Sequence, residues 1–315
     1  MNVYLSVVIP VFNEAENVAP LAAELAALFD GLGKSAEAVW VDDGSRDNSF
    51  SLITALSEKD RRMRGIRLGR NFGQTAALSA GIAAARGEVI ALLDGDGQND
   101  PADIPKLLAR LEQGFDVVSG WRKNRKDAFF SRVLPSRLAN WLISAATGTK
   151  LHDYGCTLKV YRSQALRSFK IYGEMHRFLP AFAAAAGASI AEEEVNHRAR
   201  AGGASKYGLG RTFKVLLDLA TVKFMGNYLS KPIYLFGGLA LGCGSAAFVC
   251  AAATLYNKFA NQVFVKDQPL FLVAIFLGLV SVQLLLLGLL SEIISRIYYE
   301  INGRPPYAVK VTTRD

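Results

Sequence analysis

Two long segments without charged side chains constrain the fold of this chain more than any other feature. Residues 232–257 and 269–291 contain no Asp, Glu, Lys or Arg. A helix of ~20 apolar residues, rising about 1.5 Å per residue, crosses a hydrocarbon layer of about 30 Å. Two buried helices of a soluble domain are the alternative, but soluble helices of that length normally carry a polar stripe. We therefore expect a two-helix membrane hairpin.

The charges around these segments predict its orientation. The only basic residues of the loop between them are Lys258 and Lys266. The outer flanks are more basic: Arg211, Lys214, Lys223 and Lys231 precede the first segment, and Arg296, Arg304, Lys310 and Arg314 follow the second. By the positive-inside rule, both termini and the tail 292–315 are cytoplasmic. Residues 1–10 lack the basic start and long apolar run of a signal peptide, so we expect the first 230 residues to stay in the cytoplasm.

The first half of the chain alternates short apolar runs with helical patterns. This alternation predicts an α/β domain over 1–210, with a mostly parallel sheet and helices on both faces. Asn13 is a candidate cap for the first helix. The predicted strands are 5–11, 38–41, 65–68, 88–93 and 117–119.

The strongest chemical signal is the acidic run that follows the predicted strand 88–93. Four carboxylates stand within ten residues without a basic partner in the run: Asp94, Asp96, Asp100 and Asp103. Clustered carboxylates repel one another unless a cation neutralises them, and oxygen ligands favour Mg²⁺ or Mn²⁺. An EF-hand calcium loop is excluded because Asn99 and Pro105 occupy the positions of its Gly and Glu. A solvated turn remains the simpler alternative.

A second acidic run, 42–47, also follows a predicted strand. Its sequence, Asp-Asp-Gly-Ser-Arg-Asp, is common in turns, but a carboxylate here could also bind a nucleobase or ribose. Ligands bind such sheets at the carboxyl ends of the strands. Both acidic runs are therefore candidates for one site.

The net charge of +8 does not by itself distinguish nucleic acid, anionic lipid and phosphorylated substrates. Its distribution is more informative, because six Lys and Arg residues lie between 121 and 137, and Arg200 and Lys206 form a second basic spot. Residues 127–147 and 211–230 combine such charges with apolar residues at helical spacing, which is typical of helices on a membrane surface. Phosphate binding and attraction to the membrane both fit this pattern. We expect no nucleic-acid partner, since no nucleic-acid motif accompanies the charge.

The other reactive side chains give weaker signals. Three cysteines without a C-x-x-C pair favour a reducing compartment and no disulfide framework. The three histidines lack the spacing of metal ligands, so a structural role is the more common one. A GxxxG pattern at 238–242 favours close packing of helices.

Taken together, the motifs resemble family 2 glycosyltransferases, and most closely their polyprenyl-phosphate branch, which includes dolichol-phosphate mannose synthases and bacterial undecaprenyl-phosphate sugar synthases. The resemblance covers nearly the whole chain. One departure is Gly97, where the family often has a larger apolar residue. The motifs that carry the resemblance are Val7-Val8-Ile9-Pro10-Val11-Phe12-Asn13-Glu14, Val41-Asp42-Asp43-Gly44-Ser45-Arg46-Asp47, Arg70-Asn71-Phe72-Gly73, Asp94-x-Asp96-x-Gln98, Asp153-Tyr154-Gly155-Cys156, Ser205-Lys206-Tyr207 and the C-terminal Arg296-Ile297-Tyr298-Tyr299-Glu300.

The resemblance implies a GT-A fold, a nucleotide-sugar donor and a polyprenyl phosphate acceptor, with Mg²⁺ or Mn²⁺ as cofactor. It assigns the metal to Asp94, Asp96 and Gln98, and the nucleotide sugar to Pro10, Glu14, Asp42, Asp43 and Asp94. It assigns the acceptor phosphate to Arg122, Arg132, Ser136, Arg200 and Lys206, with Asp96, Arg122 and Arg132 catalytic. It further implies a homo-oligomer and, in a bacterium, the inner membrane and undecaprenyl phosphate.

Two alternatives make different predictions. A processive polysaccharide synthase would carry a Q-x-x-R-W motif, and none of the three tryptophans fits one. A catalytically inactive, lipid-binding membrane scaffold would bind no nucleotide in a metal-dependent way.

Overall fold

The computed structural model describes residues 3–123, 140, 143–144, 147–167, 175–198, 224 and 232–301. The strands are β1 (Leu5–Val11), β2 (Ala36–Asp42), β3 (Met63–Arg67), β4 (Val89–Leu92), β5 (Val117–Trp121), β6 (Lys159–Arg162) and β7 (Ile190–Glu194). The helices are α1 (Ala15–Gly31), α2 (Ser49–Lys59), α3 (Gln74–Ala84), α4 (Ile104–Glu112), α5 (Ser163–Arg167), α6 (Leu179–Ala185), α7 (Ile233–Ala260) and α8 (Pro269–Ile301).

The strands form one seven-stranded sheet in the order β3-β2-β1-β4-β6-β5-β7. All neighbours pair in parallel except at β6, which runs antiparallel to both β4 and β5. The central strands are continuous apolar runs because both faces of the sheet are covered. The expected mostly parallel sheet is therefore confirmed, with one reversed strand that the sequence analysis did not predict.

Helices cover both faces of the sheet, as expected. On one face, α1, α2 and α4 pack against alternate residues of β1, including Leu5, Val7 and Ile9. On the other face, α3, α5 and α6 pack around Val8, Val39 and their neighbours. At Gly81 of α3, an added Cβ would lie 2.3 Å from Val8 Cγ1, so this helix lies directly on the sheet.

The C-terminal unit consists of α7 and α8, which pack against each other and are joined by a short 3-10 turn. Ser281 Oγ donates to the carbonyl of Ala240 at 2.7 Å, and Gly288 leaves room for Ile233. Both helices are candidate membrane spans, over Ile233–Ala260 and Pro269–Ser295, and only 6% of the most apolar 18-residue window of each is buried. Such exposure supports the expected membrane hairpin over two buried helices of a soluble core.

Candidate active site

The sheet brings the carboxyl ends of β1, β2 and β4 side by side. Pro10 pairs with Val41 of β2, Val8 pairs with Leu92 of β4, and the chain continues from these strands into the two acidic runs. The predicted site residues Pro10, Asp42, Asp43 and Asp94 thus share one edge of the sheet. This placement agrees with the general position of ligands in open α/β sheets.

The loop after β4 lies tightly over the end of β1. At Gly95 an added Cβ would be 2.8 Å from the Pro10 carbonyl oxygen, so only glycine fits there. Gly97 has a φ of +71°, a left-handed conformation that glycine adopts without strain. The departure from the family pattern at Gly97 therefore suits the backbone here. Asp96 Oδ1 accepts a hydrogen bond from the Gln98 backbone N–H at 3.1 Å.

Asp94 is the first residue of this loop, and two side chains donate hydrogen bonds to its carboxyl. Its Oδ1 accepts from Gln74 Nε2 at 2.8 Å, and the Thr157 hydroxyl also hydrogen-bonds the carboxyl. Burial raises the pKa of Asp94 to about 6, and the charge of Asp96 adds to the increase, while Arg122 and Lys159 act in the opposite direction. Within the described part of the chain, neither Asp94 nor Asp96 forms an ion pair. Ionised Asp94 therefore favours a nearby cation.

The second half of the acidic loop differs from the first. Asp100 Oδ1 lies 2.9 Å from Arg198 Nη2, and Asp103 Oδ1 lies 2.7 Å from Lys106 Nζ. Asp103 Oδ2 also accepts the Asn196 N–H at 2.7 Å. The expectation of four acids without basic partners is thus wrong for Asp100 and Asp103, because a neighbouring segment and the next helix turn supply the cations.

The acidic run after β2 is held by hydrogen bonds. The fully buried Asp42 accepts the Ser45 N–H at 3.0 Å, and its second oxygen lies 3.3 Å from Arg67 Nε. Asp43 accepts the backbone N–H groups of Phe72 and Gly73 at 2.8 and 2.9 Å. These carboxylates fasten the loops that form this side of the site.

The start of α1 lies against the acidic run after β2. The expected cap by Asn13 is wrong, because Asn13 adopts a φ of +55° and its Oδ1 accepts the Arg46 N–H at 2.8 Å. Asp47 accepts the first helical N–H, that of Ala15, at 3.2 Å instead. Glu14 lies on the same turn, where its Oε2 accepts from Asn17 at 2.6 Å. The loop after β2 thus fixes the start of α1.

Arg122 follows the end of β5 and is held by Asp153, for which the motif Asp153-Tyr154-Gly155-Cys156 predicted no role of its own. The Nε and Nη2 atoms donate to the two Asp153 carboxylate oxygens at 2.7 and 3.0 Å. Burial opposes the charge of Arg122, but the hydrogen bonds to Asp153 outweigh it and raise the pKa of the guanidinium. The backbone of Gly155 leaves room for this pair, since an added Cβ would lie 3.1 Å from Nη2.

Lys159 is a buried cation that the sequence analysis missed. Its ammonium donates to the carbonyls of Tyr154 and Cys156, and burial lowers its pKa. A lysine at the start of a four-residue strand gives no sequence signal for this role. Lys159 and Arg122 place positive charge near Asp94, which suits a site that handles phosphate.

Several predicted residues and segments lie outside the described residues: Arg132, Ser136, Arg200, Lys206, most of the segment 127–147 and nearly all of 211–230. The roles assigned to them stay predictions.

The residues present fit a divalent cation that is also held by substrate phosphates. Among the described residues, no group of three His, Cys, Asp or Glu side chains is arranged around one point. Mg²⁺ commonly binds through only one or two carboxylates and completes its coordination with phosphate oxygens and water. Asp94 and Asp96, both without an ion pair among the described residues, offer this kind of partial ligand set.

Comparisons with known proteins agree with this geometry. The family described as glycosyl transferase family 2 matches residues 6–169. A dodecaprenyl-phosphate galacturonate synthase from Rhizobium johnstonii is 45% identical over 312 residues, which cover 97% of this chain and 92% of the relative. An undecaprenyl-phosphate 4-deoxy-4-formamido-L-arabinose transferase from Shewanella sediminis is 37% identical over 98% of this chain and 92% of the relative.

A solved structure supports the fold. The glucosyl-3-phosphoglycerate synthase of Mycobacterium tuberculosis, in complex with Mn²⁺, UDP and glucosyl-3-phosphoglycerate, superimposes with a TM-score of 0.54 and 18% identity. The match covers 71% of this chain and 79% of that one. It shows a shared GT-A-type architecture.

Proposed function

The chain belongs to glycosyl transferase family 2, and from this premise we propose that it transfers a sugar from a nucleotide-sugar donor to a polyprenyl phosphate at the cytoplasmic face of a membrane. The 45% identity to a dodecaprenyl-phosphate galacturonate synthase, along 97% of the chain, carries this proposal. The exposed apolar helices α7 and α8 support it, because a polyprenyl acceptor is itself embedded in the membrane.

The donor sugar that we test first is a uronate. The relative with 45% identity is named for galacturonate, whereas those at 35–37% are named for 4-deoxy-4-formamido-L-arabinose. Both names include a polyprenyl phosphate, so the acceptor class is common to the relatives while the sugar differs.

On the donor side, we assign the nucleoside end to the loops fastened by Asp42 and Asp43, together with Pro10 and Glu14. We assign Mg²⁺ or Mn²⁺ to Asp94, Asp96 and Gln98. A bound divalent cation supplies positive charge that stabilises the departing nucleoside diphosphate. The carboxylates hold that charge at the edge of the sheet where the donor diphosphate is expected.

On the acceptor side, Arg122 is the described residue best placed to bind phosphate. Its geometry is fixed by Asp153. Two of its donor positions are used by Asp153, which leaves the remaining N–H groups for a phosphate oxygen. We assign the rest of this anion site to Arg132, Ser136, Arg200 and Lys206.

The chemistry needs no strong general base. A phosphate monoester with a second pKa of about 6 is largely a dianion at neutral pH, so its oxygen can attack the anomeric carbon directly. A bond from phosphate oxygen to anomeric carbon forms while the bond to the nucleoside diphosphate breaks, with inversion. Positive charge from Arg122 and its neighbours stabilises both phosphate groups during this exchange.

We assign residues 1–210, the segment 211–230 and the tail 292–315 to the cytoplasmic side of the membrane. The positive-inside rule supports this orientation. We further propose that the protein resides in a bacterial inner membrane and forms a homo-oligomer.

The test is a transfer assay with purified full-length protein, undecaprenyl phosphate, a panel of UDP- and GDP-sugars, and Mg²⁺ or Mn²⁺. We expect a product with one sugar per lipid phosphate, whose anomeric configuration, determined by NMR, is inverted relative to the donor. The Asp96→Asn variant should give no product. The control is Glu112→Gln, an exposed acid that accepts a hydrogen bond from Tyr4, directly before the amino end of β1. Chains of several sugars would indicate a processive synthase instead. The absence of any transfer across the panel would indicate a scaffold.

A further inference from the structure

Gln74 contacts the predicted metal-binding carboxylate but is not a member of the predicted site. It is the first residue of α3, and its Nε2 donates to Asp94 Oδ1 at 2.8 Å. A carboxylate rotates freely about its Cβ–Cγ bond unless one of its oxygens is held. Ligating carboxylates are commonly hydrogen-bonded by outer residues that fix their orientation.

The position of Gln74 is fixed from the neighbouring strand end. Asp43 accepts the N–H groups of Phe72 and Gly73, the two residues directly before Gln74. At the second residue of α3, the helix is further held by the 2.8 Å hydrogen bond between Thr75 Oγ1 and His176 Nδ1. A continuous set of contacts therefore runs from the end of β2, through the start of α3, to the carboxylate at the end of β4.

The Gln74 amide that donates to Asp94 is neutral, so it leaves the charge of the carboxylate unchanged. Asp100 and Asp103 are held by the cations Arg198 and Lys106, which cancel their negative charge. Asp94 is held by the Gln74 amide together with the Thr157 hydroxyl, and Asp96 by a backbone N–H, all of them neutral donors. A neutral donor orients a carboxylate without removing the charge that attracts a cation.

We propose that Gln74 is a positioning residue that turns the Asp94 carboxylate toward a divalent cation. This inference rests on the proposed function, in which Asp94 is a metal ligand. It assigns to Asp43 a second role, which is to place Gln74 correctly.

The test compares Gln74→Met, which keeps the side-chain length but has no N–H donor, with the wild type. Mn²⁺ is titrated into the full-length protein in detergent, in the presence of UDP or GDP, and free Mn²⁺ is measured by electron paramagnetic resonance. Loss of an outer-shell contact typically weakens metal binding by 10- to 100-fold, and we expect about 10-fold because Gln74 is exposed. Gln113→Met, at the exposed glutamine after α4, is the matched control and should bind Mn²⁺ like the wild type.

A second readout separates positioning from general stability. In the transfer assay, Gln74→Met should need about 10-fold more Mn²⁺ for half-maximal rate, while saturating Mn²⁺ restores kcat and the melting temperature is unchanged. Wild-type Mn²⁺ affinity in Gln74→Met would overturn the inference, as would a loss of activity that saturating Mn²⁺ does not restore. If the wild type itself binds no Mn²⁺ with either nucleotide, the proposed metal dependence falls together with the inference.

Discussion

The ends of β2 and β4 carry similar acidic sequences, yet the structure uses them differently. After β2, Asp42 and Asp43 are almost fully buried and their oxygens face backbone N–H groups and Arg67. After β4, Asp94 and Asp96 are held by neutral donors and have no ion pair among the described residues. The carboxylates after β2 thus hold neighbouring backbone segments, whereas those after β4 keep negative charge that a cation could neutralise.

This difference shows that local sequence does not determine what an acidic turn does. Both runs follow a buried parallel strand and both contain Asp-Gly. What distinguishes them is the partner that tertiary structure delivers, which is a backbone segment at Asp43 and an amide side chain at Asp94. Buried carboxylates that accept several N–H groups stabilise the fold, whereas carboxylates without a cationic partner keep negative charge that a metal ion can neutralise.

The largest expected effect is at the β4 end. Asp94→Asn removes the charge that attracts the cation, so transfer should fall by about 10³-fold, equivalent to several kcal/mol of transition-state stabilisation. Stability should not fall, because a partly buried ionised carboxyl is replaced by a neutral group of the same shape. Activity and melting temperature measured on one preparation check this. A large drop in melting temperature would instead make Asp94 a structural residue like Asp43.

At the β2 end, the largest effect should be on stability. Gly44 has a φ of +70°, and an added Cβ would lie 2.5 Å from the Arg70 carbonyl carbon. Gly44→Ala should therefore reduce the free energy of unfolding by about 3 kcal/mol through strain and overlap. Gly33→Ala is the control, since it has a φ of +64° but open space around it. Equal destabilisation in both variants would show that the close approach of residue 70 is unimportant.

Asp43→Asn also tests the stability of the β2 end, and we expect it to cost less than Gly44→Ala. The asparagine amide keeps one acceptor and places an N–H donor against a backbone N–H, which should cost about 2 kcal/mol. Thermal unfolding of the detergent-solubilised protein should show this loss, and nucleotide affinity should fall with it. An unchanged melting temperature would contradict the structural role of Asp43.

The smallest expected effect concerns the start of α3, which links the two strand ends. Burial lowers the pKa of His176 to about 3, far below its unfolded value of about 6.5. Since the unfolded chain binds the proton more readily, stability should be lost as the pH falls from 6.5 to 5.5, by at most about 1.4 kcal/mol over that pH unit. His176→Gln cannot be protonated and should show a shallower decrease of melting temperature over this range. An identical pH dependence would contradict the burial of a neutral imidazole here.

Much of the fold could be predicted from the sequence because the central strands are continuous apolar runs. β1 was predicted with its observed bounds, and β2, β4 and β5 within two residues at each end. β6 and β7 were not predicted, since one is a four-residue strand that begins with a buried lysine and the other ends in three glutamates. Such strands owe their pairing to the sheet that is already present, and tertiary context overrides their weak local signal.

The candidate site was predictable in its residues but not in their partners. Strand ends and clustered aspartates identified Asp42, Asp43, Asp94 and Asp96 as candidates. The contacts that set their roles join residues far apart in sequence, such as Asp43 with Phe72, Asp94 with Gln74, and Asp100 with Arg198. The pair of Asp103 with Lys106 is the exception, because its i,i+3 spacing could have been recognised.

The most direct test compares two Asp→Asn changes within one loop. Asp96 has no ion pair among the described residues, while Asp100 is paired with Arg198. Calorimetric titration of UDP or GDP, with and without Mn²⁺, should show that Asp96→Asn abolishes the metal-dependent part of nucleotide binding and that Asp100→Asn retains it. Wild-type metal-dependent affinity in Asp96→Asn, or an equal loss in Asp100→Asn, would contradict the assignment of the cation to the end of β4.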